Sequence, residues 1–162
     1  MAKHRIAASK LIQAPAGQLY AIIADYRDGH PHILPRPPFV SLEVEEGGTG
    51  AGTVINFQMR LMGRLQSTRA AITEPEPGRV LVETVLDQDL VTTFTVDPRE
   101  GGQHAYVTIT TDIAIRDGIL GAVQGWLITR MLQPVYEREL VQLGAVAAER
   151  AVGSSQGSRV AG

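Results

Sequence analysis

Hydrophobic and polar residues alternate with a period of two through most of the chain from Phe39 onward, and helical patterns lie on either side of that stretch. Before it, His4 to Gln13 reads as a strand, with Ile6, Ala8, Lys10 and Ile12 on one side. Pro15 then suits the first position of a helix, where a missing N–H costs little. Leu19, Ile22, Ile23 and Tyr26 follow at spacings of three and four and form one apolar face. Gly29 and four prolines between Pro31 and Pro38 leave room for at most one short helical turn. The period of two then predicts strands around Val40–Val44, Thr53–Met62, Gln66–Glu74, Val80–Leu86, Leu90–Asp97 and His104–Ile113. Gly63, Glu74–Gly78, Asp87–Asp89 and Pro98–Gly102 mark the turns between them.

Gly118 to Arg150 is a long helical stretch with Asp117 placed to cap it, and Arg130 is the only charge from Gly118 to Tyr136. Such a helix needs cover, and the strands before it are the cover available. Short connections make those strands a meander, which can put one face on a helix and the other in water. The expected architecture is α+β: a curved antiparallel sheet of about seven strands around a long C-terminal helix, with two short helices after the first strand. A sheet closed over one helix encloses a cavity, so the pattern points to a container for a small, largely apolar molecule. The domain is expected to cover residues 1–150, with a flexible tail over 151–162.

Composition narrows this reading. A chain of 162 residues is one domain by size, with 44% hydrophobic and 20% charged residues, as in ordinary water-exposed domains. A formal net charge of −2 gives no electrostatic case for nucleic acid as a partner. Cysteine is absent, which excludes disulfides and thiolate metal sites, and a cytoplasmic setting is expected. Gly118–Tyr136 is about long enough to span a bilayer, but Arg130, Gln124, Gln133, Pro134 and three glycines argue against stable membrane insertion.

The order of elements and several local motifs resemble the START-like superfamily, also called SRPBCC or helix-grip, and within it the polyketide cyclase/dehydrase and lipid-transport type. The resembling pieces are Ala14–Asp25, the proline-bearing Pro31–Pro35, Gly50-Ala51-Gly52-Thr53, the Glu74–Arg79 turn and the terminal helix. Pro37-Pro38 and His30-Pro31-His32 depart from the pattern, where an aromatic residue is often found. The resemblance implies a seven-stranded sheet gripping the C-terminal helix over an apolar cavity. The superfamily it resembles includes aromatase/cyclases, lipid and hormone binders and members of unknown activity, so the resemblance implies a fold more than a ligand, because ligands vary across a shared cavity.

Candidate site residues follow from the helix and the strands. Ile119, Val123, Trp126, Leu127, Arg130 and Pro134 fall on one face of the helical wheel, which puts Arg130 within an apolar stripe. Arg130 either snorkels outward or anchors an acidic ligand in the cavity. Val123, Trp126 and Leu127 accompany it as candidate ligand contacts, and Phe57, Met59 and Tyr106 are strand candidates that serve equally as core. Pro134 is expected to kink the helix. Tyr26 and Tyr106 either pack or polarise a carbonyl. His30 and His32 read as exposed loop residues, or as a mouth-side acid/base, with no third ligand spaced for a metal. Gly121, Gly125, Ile128 and Leu132 form a second, small and apolar helix side, able to meet the sheet edge or a second subunit, so monomer and homodimer both stay open. No nucleophile elbow, phosphate loop or metal-binding helix is present, no catalytic residue stands out, and no cofactor is expected. Three readings remain: a carrier or sensor of a lipid, polyketide or aromatic compound; a cyclase or dehydratase using Arg130, Tyr106 or His32; and an interaction module without a ligand.

Overall fold

The computed structural model describes residues 1–160, with side chains described through residue 154. Its elements run β1 (Ala2–Ile12), α1 (Ala16–Ala24), α2 (Gly29–Ile33), β2 (Phe39–Glu46), β3 (Val54–Leu61), β4 (Arg64–Glu76), β5 (Val80–Val85), β6 (Leu90–Arg99), β7 (His104–Ile115) and α3 (Gly118–Val160), with a single 3-10 turn between β6 and β7. The strands form one seven-stranded antiparallel sheet in the order β1-β7-β6-β5-β4-β3-β2. This is the helix-grip arrangement that the resemblance implies.

The topology explains the shape. From β2 to β7 each strand pairs with the next, as short connections dictate. β1 instead pairs with β7 at the far side, so β1 and β2 are opposite edges and the α1–α2 segment crosses between them. The tightest hairpin, β3–β4, turns at Met62 and Gly63, both with positive φ (51° and 77°). A two-residue turn of that hand matches the strand twist.

One continuous core joins the inner sheet face, α1 and α3, with Ile6, Leu19, Ile23, Leu81, Val107 and Leu140 all buried. The helical face read from α1 is inside: Leu19, Ile22 and Ile23 are buried, and so is Tyr26, just past the helix end. Pro15 is the residue before α1 rather than its first, because its ψ of 134° is extended.

α3 lies differently from its expected rotation. Its inward face is Gly121, Gly125, Leu132, Val135, Tyr136, Leu140 and Leu143. Ile119, Val123, Trp126, Leu127 and Arg130 point outward. Glycine sets this choice. A Cβ on Gly125 would stand 2.8 Å from His4 Nδ1, and the adjacent His4 Nε2 meets Thr129 Oγ1 at 2.6 Å. Only a helix side without side chains can come so close to β1. α3 continues through exposed Pro134 and past residue 150 to Val160, so the expected tail begins inside a helix; residues 161 and 162 lie outside the described residues.

Candidate functional site

α3 packs chiefly on β1, β7, α1 and α2. It therefore stands off the middle of the sheet, and the gap over β3–β6 is a cavity of about 120 Å³. An apolar cavity of about 150 Å³ is known to take benzene, so the space suits roughly one aromatic ring. Its walls are largely apolar: Leu42, Ile55, Phe57 and Met59 from β2 and β3, Leu90 and Phe94 from β6, and Leu132 from α3. Exposed Gln66 and Gln88 stand on its solvent side.

The inner end is polar, and its residues come from three elements. His30 of α2 is buried, contrary to its expected exposed loop position, while His32 is exposed and bonds the Asp28 carbonyl. The difference arises because α2 lies hard on α1: a Cβ on Gly29 would be 2.5 Å from the Ile22 carbonyl oxygen. The next residue is carried inward with it. His30 Nδ1 bonds the Ile23 carbonyl at 2.7 Å, which makes Nδ1 the protonated nitrogen, since a carbonyl only accepts. The ring stacks on Tyr26 at 4.5 Å between centroids and meets the Phe94 ring edge-on at 5.5 Å. Its Nε2 is 3.6 Å from Glu83 Oε1.

Glu83 projects inward from β5 because it alternates with buried Leu81 and Val85. Its Oε1 accepts the Tyr26 O–H at 2.6 Å. Burial first, and the Glu83 charge second, push the Tyr26 phenol well above its ordinary range. Glu139 of α3 faces the same end at 2% exposure. Desolvation, reinforced by Glu83, raises its carboxyl well above the ordinary carboxylate range. Tyr136, one helical turn earlier, shares a hydroxyl chain with Thr111 (2.6 Å) and Thr92 (2.8 Å), and burial pushes its phenol up to about 12.

Among the described residues no Lys or Arg lines the cavity. Nor are three or more His, Asp or Glu residues grouped to hold a metal ion. The cavity can thus offer apolar walls and a hydrogen-bonding, acidic end.

Of the sequence candidates, Phe57 and Met59 line this cavity. Arg130, Trp126, Val123, Leu127 and Tyr106 do not. Arg130 is exposed and lies 5.4 Å over the ring of Trp126, itself 58% exposed. Val123 and Leu127 share that outer face. Tyr106 is on the outward side of β7, beside Arg99, because its neighbours Ala105 and Val107 take the inward positions. An anion anchor at Arg130 is therefore corrected by the rotation of α3. Glu83 and Glu139 were missed, although each interrupts an apolar register: Leu81-Glu83-Val85 in β5, and Leu132-Tyr136-Glu139-Leu143 in α3.

No helix among the described residues is long and apolar enough to cross a membrane. No curated protein sequence matches the chain. Among solved structures, the KanY protein superposes with a TM-score of 0.73 at 24% identity, covering 91% of this chain and 99% of that one. The Zhui aromatase/cyclase from a Streptomyces species gives 0.69 at 18%, covering 93% and 96%. A START superfamily protein from Mycobacterium smegmatis gives 0.71 at 12%, covering 90% and 98%. At these identities the likeness is one of fold. The family model for polyketide cyclase/dehydrase and lipid transport matches residues 3–148, nearly the whole length, and the chain belongs to that family.

Proposed function

We propose that this protein binds a small, largely apolar molecule in the cavity between the sheet and α3. The observation that carries the reading is the gap itself: the apolar walls over β3–β6 are left unfilled where α3 is held against β1 and β7. Closing that gap would favour a solid core, since packing voids cost stability. Membership of a family described by both cyclisation and lipid transport agrees with a ligand. The test is a thermal-shift screen with small aromatic and aliphatic compounds. A ligand at about a hundred times its Kd should stabilise the fold by roughly 2.7 kcal/mol. A library-wide absence of shift counts against the reading.

A second reading, an enzyme of the cyclase or dehydratase type, is favoured by one specific observation. His30, Glu83 and Glu139 converge on the inner end, and ionisable groups gathered in a cavity are what acid/base chemistry needs. In that reading the walls hold the stretch of a poly-carbonyl substrate that closes into one ring, and the inner groups exchange protons with it. Product analysis with a linear poly-β-ketone thioester tests it: faster ring closure with the protein, and loss of that gain in His30→Gln, is the expected result. Equal rates with and without protein would leave binding alone.

A further inference from the structure

Glu139 is the one buried carboxyl whose chemistry the fold leaves unused. It is 2% exposed, yet among the described residues no hydrogen bond or ion pair reaches it from the protein. Among the described residues no sealed polar side-chain atom goes without a partner, so this carboxyl is not entombed in apolar packing but opens onto the cavity. The ionisable groups facing it are Glu83 from β5, His30 from α2, Tyr26 from the segment after α1 and Tyr136 from its own helix. None is a lysine or arginine. His30 Nδ1 donates to the Ile23 carbonyl, and its Nε2 lies 3.6 Å from Glu83 Oε1, beyond hydrogen-bond distance.

From this geometry we propose that the Glu139 carboxyl binds the carbonyl oxygen of an uncharged ligand by donating its O–H, and that this acidic end turns away carboxylates. The inference rests on the cavity being a ligand site and names the class of ligand it takes. A protonated carboxyl carries one donor, and among the described residues that donor has no acceptor. A ligand ketone or aldehyde supplies it. A ligand carboxylate would instead bring a second negative charge beside Glu83 into a space without a fixed cation, which costs far more than it returns. Burial first, and Glu83 second, raise the Glu139 carboxyl above its ordinary range and so favour its protonated, donating form.

Four single-ring probes of matched shape separate the possibilities: acetophenone, ethylbenzene, benzoate and benzylamine, each titrated against the full chain by methyl NMR. Acetophenone should bind several-fold tighter than ethylbenzene and at least about tenfold tighter than benzoate. Its affinity should fall as pH rises and Glu139 ionises. Glu139→Gln keeps an N–H donor that does not titrate, so acetophenone should still bind and that pH dependence should vanish. Glu139→Leu should bring acetophenone and ethylbenzene level. Benzoate or benzylamine binding as well as the ketone would overturn the proposal, and so would a ketone preference that survives in Glu139→Leu. Binding of ethylbenzene and acetophenone with equal strength to the unaltered protein sinks the head-group assignment while leaving the cavity a ligand site. Failure of all four to bind removes both.

Discussion

At the scale of single residues, the cavity end is built from groups that stabilise the fold unequally. The Tyr26–Glu83 hydrogen bond is short and buried, and it ties the end of α1 to β5. Tyr26→Phe leaves Glu83 one donor short, and about 1–3 kcal/mol of stability should be lost, measurable by urea denaturation. Glu139 works in the opposite direction. Its carboxyl holds a proton in the folded state that the unfolded chain releases, so folding takes up a proton between the unfolded pKa near 4.5 and the raised folded value. Stability contributed this way is present at low pH and is lost as pH rises through that window. Replacing Glu139 with leucine removes the penalty, so the variant should gain on the native protein at neutral pH and lose the advantage below pH 4.5. Melting curves across pH decide this, and an advantage independent of pH would contradict the assigned ionisation.

At the scale of elements, the sheet was legible in the sequence and the rotation of α3 was not. Alternation located all the strands because a half-buried strand must alternate, and Gly63 and the Asp87–Asp89 break marked hairpins that exist. α3 carries two apolar sides, and the one with Trp126 and Leu127 is the one left in water. Hydrophobicity alone misleads there. The decisive signal was small size: Gly121 and Gly125 allow contact with the β7–α3 junction and β1 that no larger residue permits. Gly125→Ala should push His4 off Thr129 and cost about 1–3 kcal/mol. By the same argument Arg130→Ala removes only the exposed contact with Trp126, a change of about 0.5–1 kcal/mol or less, and should leave cavity binding unaltered. A marked loss of ligand affinity in that variant would return Arg130 to the site.

At the scale of the whole molecule, the cavity is a consequence of connectivity. β1 is recruited to the β7 edge, α3 follows β7 directly and is clamped there by its glycines, and the sheet curves past it with nothing to fill β3–β6. That outcome, a family fold with a hollow between sheet and helix, could be read from the order of strands and helices. The acidic inner end could not, because Glu83 and Glu139 are distant in sequence and meet only when β5 faces α3. Their joint position is a tertiary fact. The central claim is that this hollow holds a ligand, and native mass spectrometry of the protein and of Thr68→Phe, purified side by side under mild conditions, addresses it most directly. Thr68 faces the cavity, so the added ring should occupy it. A small-molecule mass increment on the unaltered protein that is absent from Thr68→Phe is the predicted result. The same increment on both proteins, or on neither, would contradict it.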